Sequence, residues 1–210
     1  DITTAILEIM GYSSSTNAPW GTNFTLYKRI NEYLQRLPMR MNSVGRELAQ
    51  QGLLKPTDIP VHLAMWLTES TSATTGTGLK IAASASTAYF PTDFDAAVSM
   101  YDLTGKRYIP IINNTDRWFS DELIQSPAGT PKCLKLIGFA LDSTDWRCSA
   151  TILPSTVSGV TPSMRLTYYR IPASMPGTSP PTEYPDIDPK YESVIIYGTV
   201  CDLARSTGFE

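Results

Sequence analysis

Charge is scarce in this chain: Asp, Glu, Lys and Arg make up 18% of its 210 residues, and the formal net charge is -3. A surface that grips nucleic acid through its phosphates needs a basic excess, so that mode of binding is excluded. DNA sliding past a mildly repulsive wall is not. Histidine occurs once, at His62. Proton transfer near neutral pH relies most often on histidine, and this one, between Val61 and Leu63 of an alternating stretch, reads as a solvent-side or rim residue. Cysteine occurs three times (Cys133, Cys148, Cys201), with no C-x-x-C pair. Reduced thiols in a cytoplasmic protein are expected, with a Cys133–Cys148 bridge between neighbouring strands as the alternative. No run of about 18 apolar residues exists, so no membrane helix is expected. The first residues lack a basic stretch followed by an apolar one, so no secretion signal is read; Asp1 in place of Met suggests that an initiator or a longer leader was removed.

The common reaction motifs are missing too. There is no G-x-S-x-G elbow, no H-E-x-x-H and no Cys/His cluster, so neither a serine nucleophile nor a zinc site is expected. Gly76-Thr77-Gly78-Leu79-Lys80 lacks the spacing of a phosphate loop and reads as a flexible loop. Carboxylates fall close together as Asp121-Glu122, Asp142 with Asp145, and Asp186 with Asp188. Such pairs can hold calcium or perform glycosidase acid–base work, but Asp in turns more often bonds its own backbone. Asn23-Phe24-Thr25 and Asn113-Asn114-Thr115 match the glycan acceptor pattern, discounted without a secretion signal. No cofactor, metal or catalytic residue is predicted.

What is present is 16 Pro and 13 Gly among many Ser and Thr, a composition of loops and short strands. The longer helical patterns lie at the two ends. Residues 1–10 give a short helix ending at Gly11. Asn23–Leu37 carries Tyr27, Ile30, Leu34 and Leu37 on one stripe, with Pro38 as its stop, and a weaker helix is read over 42–51. At the other end Asp188 caps and Pro189 opens a helix in which Tyr191, Val194, Ile195, Gly198 and Cys201, with Leu203 or Ala204, share a face. Arg205 suits its last turn and Gly208 its end. An amphipathic helix of this length needs a partner, and the comparable ones lie near the start of the chain. Lys28, Arg29, Arg36, Arg40 and Arg46 form a solvated helix face or serve subunit contacts.

Between the ends the period is two. Strands are expected over 60–67, 79–82, 96–101, 106–112, 134–140, 147–153 and 165–170, with turns at Thr104-Gly105 and Asp142–Asp145. A short helix is expected over 114–125, and Ser70–Gly78 is small, polar and expected to be mobile. The predicted class is α+β: a helical base from residues 1–58 plus 184–210, an inserted antiparallel β-sandwich-like domain over 59–172, and a Pro-rich connection over 173–183. Tyr27, Ile30, Leu34, Tyr191, Val194, Ile195, Gly198 and Cys201 are the expected core of the base. Trp20, Trp66, Trp118 and Trp146 are the candidate partner contacts, since aromatics anchor protein interfaces.

The order of several segments resembles the head-to-tail adaptor (connector) proteins of tailed bacteriophages. These are Tyr89-Phe90-Pro91-Thr92-Asp93-Phe94, the strand ending at Tyr101, the Gly105 turn, Ile137-Gly138-Phe139, Thr151-Ile152-Leu153-Pro154, and Leu166-Thr167-Tyr168-Tyr169-Arg170-Ile171-Pro172. Tyr191-Glu192 with Ile195-Ile196-Tyr197-Gly198 is similar to that family's closing helix. The resemblance covers about 85–210, and 1–58 only as a helical pattern. It implies a non-enzymatic ring of about twelve copies that closes by rotation. Such a ring sits in the virion neck between portal protein and tail or nozzle protein, and passes double-stranded DNA without reading it. The long Ser155–Ser163 loop, the Ser70–Gly78 piece and the absence of a long tail after Phe209 depart from the pattern. The alternatives are a carbohydrate- or receptor-binding β-sandwich of a phage tail, using Trp66, Trp118 or Trp146 as stacking platforms, and a hydrolase with paired carboxylates.

Overall fold

The structure is a computed structural model that describes residues 2–13, 18, 23–53, 64–81, 86–112, 127–157, 159–175 and 186–207. The fold is α+β. The chain divides into two compact units: residues 1–65 together with 171–210 form one, and Trp66–Arg170 the other.

The first unit is helical. Helix α1 (Ile2–Ile9) buries Ile2, Thr3 and Ile6. Helix α2 (Asn23–Gln50) is 28 residues long and runs straight through Pro38. The two separate helices expected on either side of Pro38 are therefore one. A proline inside a helix removes one ladder bond and costs about 3 kcal/mol. Leu37 and Pro38 are both buried, and Met39, Arg40 and Met41 are good helix formers, so packing and local preference carry the helix past the break. Leu26, Tyr27, Ile30, Tyr33, Leu34 and Leu37 are all buried along one stripe. The helix ends at Gly52, whose φ of 73° lets Leu53 N–H donate to Leu48 C=O at 2.9 Å, a closure that any residue with a Cβ resists.

Helix α3 (Glu192–Thr207) follows a single turn of 3-10 helix at Pro189–Tyr191, where the Asp188 carboxylate accepts from Lys190 N–H at 3.1 Å. Both α1 and α2 pack on α3. The buried line of α3 is Ile195, Thr199 and Leu203; Ile195 and Leu203 belong to the face expected from sequence, Thr199 does not, and Val194 and Cys201 of that face point outward. Val194 is 39% exposed and Cys201 is exposed, while Tyr191 is half-buried. Thr199 is a polar residue in the inward position. Gly198 was placed correctly, for a reason that periodicity does not give: a Cβ there would run into the ring of Tyr33. The Arg40 guanidinium lies 4.9 Å over the same ring and reaches Asp202 at 3.3 Å. Arg40 thus links α2 to α3 at the surface of this unit. Asn31 ties the returning chain to α2 in both directions, accepting from Met175 N–H at 2.7 Å and donating to Met175 C=O at 3.0 Å.

The second unit holds two sheets. Strands β1 (Leu67–Thr71), β9 (Met164–Arg170), β4 (Phe94–Asp102) and β5 (Arg107–Ile109) form one in the order β1-β9-β4-β5, all antiparallel. The other runs β2 (Lys80–Ile81), β3 (Thr87–Tyr89), β8 (Asp145–Leu153), β7 (Cys133–Asp142), β6 (Ile111–Ile112). It is not purely antiparallel, because β6 lies parallel to β7. Both sheets contribute to one core, including Ile81, Phe90, Met100, Leu134, Ile152 and Leu166. Of the strand expected over 60–67, residues 60–63 lie outside the described residues, Ala64–Trp66 is a 3-10 turn, and β1 begins at Leu67. The expected strand at 106–112 is split at Pro110, which has no N–H for the ladder.

Gly198→Val is expected to lower the stability of the helical unit by about 1–3 kcal/mol through overpacking. Urea denaturation followed by helical circular dichroism checks this, and the loss should shrink in a Tyr33→Ala background. Equal losses in both backgrounds would mean that the Tyr33 approach is not what keeps position 198 bare.

Candidate functional site

The most polar interior point of the strand unit is Arg147 on β8. It is 2% exposed, and its guanidinium donates to the carbonyls of Phe90 (2.7 Å), Gly76 (3.0 Å), Thr77 (3.1 Å) and Gly78. It also donates to Asp142 Oδ2 at 2.9 Å, while Lys80 holds Asp142 Oδ1 at 2.5 Å. The Gly76–Gly78 turn therefore points carbonyls at a cation, the opposite polarity from a loop that cradles phosphate. Nor is Ser70–Gly78 the loose piece that its composition suggests. Its backbone is tied through Ser72 N–H to Met164 C=O, Ala73 N–H to Leu79 C=O, and Thr92 N–H to Thr77 C=O, at 2.7–3.0 Å. The Lys80 hydrogen bond, aided by Arg147, holds the Asp142 carboxyl below its ordinary range. Asp142 and Asp145 face each other across the end of the β7–β8 hairpin. With Asp142 tied to two cations, the pair is a structural closure and not an acid–base couple. Of the other two carboxylate pairs, Asp121-Glu122 lies outside the described residues, while Asp186 accepts from Ala173 N–H at 2.8 Å.

The cysteine bridge is ruled out by register. Cys148 is opposite Phe139 and Cys133 opposite Leu153, so about six residues, or roughly 20 Å along the strand, separate them. A disulfide spans at most about 7 Å between Cα atoms. All three cysteines are free, and burial raises the thiols of Cys133 and Cys148. Among the described residues no group of three or more His, Cys, Asp or Glu side chains is placed to hold a metal ion. No described helix is long and apolar enough to cross a membrane.

Exposed apolar side chains are more informative. On β8, Trp146, Cys148, Ala150 and Ile152 alternate onto one face, and their partners across the hairpin are Leu141, Phe139, Leu136 and Leu134. A bulge at Gly138 lets β7 switch from even to odd positions without leaving that face. The inner part of the face is core; the outer part, Phe139 (75%), Trp146 (69%) and Leu141 (53%), is exposed. Helix α3 presents a second row, Val194, Tyr197 and Cys201, at the spacing of one helix face, with Tyr197 61% exposed. Of the four tryptophans singled out from sequence, Trp146 is in the hairpin row and Trp66 is fully buried, so Trp66 is no contact residue. Trp20, Trp118, His62, Arg46, Gly208 and the stretch 114–125 lie outside the described residues or side chains. Phe139, Leu141 and Tyr197 were missed. Their signal was the slip of alternation at Gly138 and, on α3, the two apolar lines that Thr199 separates.

A third feature is an open cleft of about 700 Å³ between β4 and residues 108–111, floored by Leu136. Asp95 is exposed at its mouth, and the surrounding protein raises its carboxyl. On the neighbouring strand, outside the cleft lining, Tyr168 donates to Asp93 Oδ1 at 2.9 Å; burial first, and this bond second, raise the phenol above its ordinary range.

No protein-family model matches this chain, and no curated protein matches it either.

Removing Arg147 leaves four carbonyls and Asp142 short of their donor. Arg147→Met is expected to cost about 3–5 kcal/mol, read as a lower urea midpoint of the strand unit by tryptophan fluorescence. Asp142, with its lowered pKa, stabilises the fold fully above the ordinary aspartate value of about 4, and that contribution is lost as pH falls through the folded value. An acid titration of stability should therefore be steeper for the natural chain than for Asp142→Asn.

Proposed function

We propose that the chain is a non-enzymatic virion structural protein, a head-to-tail adaptor whose copies close into a ring in the neck of a tailed phage. In this reading the helical unit is the base of each wedge, and the two-sheet unit is a sandwich-like insertion carried by it. The ring joins portal protein to tail or nozzle protein, and double-stranded DNA passes through it without sequence recognition. The observation that carries the reading is the pair of dissimilar exposed apolar rows: Val194–Tyr197–Cys201 in one unit, and Phe139–Leu141–Trp146 in the other. A ring that closes by rotation is built from heterologous contacts, which need two different patches on each copy. A self-associating patch would favour a two-fold dimer instead. Two of the segments that carry the family resemblance also meet, through the Asp93–Tyr168 hydrogen bond and the Phe94 and Tyr168 rings 5.9 Å apart. The sugar-binding alternative retains one exposed platform, Trp146, but apolar Phe139 and Leu141 accompany it in the row, and sugar recognition needs polar groups that fix hydroxyls.

The test is negative-stain microscopy and mass photometry of the purified chain with and without portal protein. A ring of about twelve copies, formed alone or on the portal, is expected. Tyr197→Lys and Trp146→Lys should each abolish it while moving monomer stability by no more than about 0.5 kcal/mol. A chain that stays monomeric with portal present, or that forms only two-fold dimers, would overturn the adaptor reading.

A further inference from the structure

Strand β4 is nine residues long, but its neighbour β5 pairs with only its last three: Met100 with Ile109, Tyr101 with Tyr108, Asp102 with Arg107. The next residue of the neighbour is Pro110, which cannot donate. Its carbonyl instead accepts from Leu134 N–H at 3.0 Å, and Ile111 already pairs with Leu134 in the other sheet. The chain has changed sheets at the proline. As a result Phe94–Ser99 hydrogen-bond to β9 on one side and, among the described residues, have no strand on the other. The open cleft lies along this edge, between Phe94, Ala97 and Val98 on one flank and Ile109, Pro110 and Ile111 on the other.

A strand edge that no described strand covers, beside an apolar trough, is a template for a further strand. Bulges between Phe94 and Ala96 and between Ala97 and Ser99 set these six residues against four of β9, Thr167–Arg170, so the edge spans about 13 Å. The cleft volume is in the range of pockets that take small ligands. Its lining argues against one, since among the described residues its polar side-chain groups are Asp95, Ser99 and the Tyr108 hydroxyl. Main-chain donors and acceptors are instead the dominant polar chemistry. We propose that this edge captures an extended segment of a partner polypeptide. The segment hydrogen-bonds to Phe94–Ser99 as an added strand, sets alternate apolar side chains into the trough and places a Lys or Arg against Asp95. The proposal does not depend on the ring reading, because the edge and trough lie wholly within residues 94–136.

The probe is a capped heptapeptide of alternating Val and Thr with one central Lys, titrated into the full chain and read by hydrogen–deuterium exchange. Protection of the Ala96–Ser99 amides is expected to rise at least about tenfold at saturation. The same peptide with two prolines should give none. In Asp95→Lys, preference should invert, a central-Glu peptide binding at least about fivefold tighter than the Lys one. This variant leaves the backbone edge intact. No protection at millimolar peptide, equal protection by the proline peptide, or unchanged charge preference in Asp95→Lys would overturn the proposal. So would protection that appears without peptide and grows with protein concentration, which would assign the edge to a second copy.

Discussion

A helix near the end of the chain approaches Tyr33 so closely that position 198 has no room for a side chain. That contact joins residues 165 positions apart, and the fold of the helical unit follows from it. Once Gly198 rests on the Tyr33 ring, Arg40, two turns further along α2, lies over the ring and reaches Asp202, one turn further along α3. Ile195, Thr199 and Leu203 are then the residues that must turn inward. The loop that this contact closes contains the whole strand unit. Loop-closure entropy grows only logarithmically with length, so more than a hundred intervening residues cost little more than a few dozen, provided that they fold on their own. The second unit meets that condition with a core drawn from both its sheets.

Sequence periodicity located the buried stripe of α2, because Tyr27, Ile30, Leu34 and Leu37 are large, apolar and regularly spaced. It misjudged Pro38 because the penalty of one proline is local, whereas the burial on both sides of it is cumulative. Burying four such side chains contributes roughly 1.5–3 kcal/mol each, more than the break costs. On α3 the same method named Ile195 and Leu203, which are buried, but drew the face too wide by including Val194 and Cys201. Val194 and Cys201 are apolar but outward, and Thr199 is polar but inward, so hydropathy alone widens the face and leaves Thr199 out of it. The strands were legible where alternation is strict, as in β8 and β9, whereas β3, three residues long, was not expected.

The polar interior could not be read in advance. Arg147 has the sequence appearance of a surface residue on an alternating strand. What makes it internal is a set of carbonyls about seventy positions upstream, in a segment whose Ser, Thr and Gly content suggests looseness. Small residues permit a tight turn as readily as a mobile one, and only a partner decides between them. The buried guanidinium is that partner, and without the turn its own desolvation would be unsupported. Register, likewise, is invisible to composition: two cysteines on adjacent strands looked bridgeable until pairing placed them at different heights.

The same reasoning bears on what the exposed surfaces are for. A bulge at Gly138 keeps Phe139 and Leu141 on the face that further in is core, although among the described residues nothing covers them to the depth of Leu134 and Ile152. A strand whose only duty was to close its own domain would turn polar where the opposing sheet ends, as alternating sheets usually do. The hairpin does not. Pro110 is a parallel case, because it moves the chain from one sheet to the other at the point where a straight continuation would have covered the rest of β4. In both places a single residue with an unusual backbone role leaves apolar surface and hydrogen-bonding edge outside. Large exposed apolar patches on a folded chain mark where something else binds. Two such places in one unit, together with the row on α3, are the surfaces on which the proposed contacts rest.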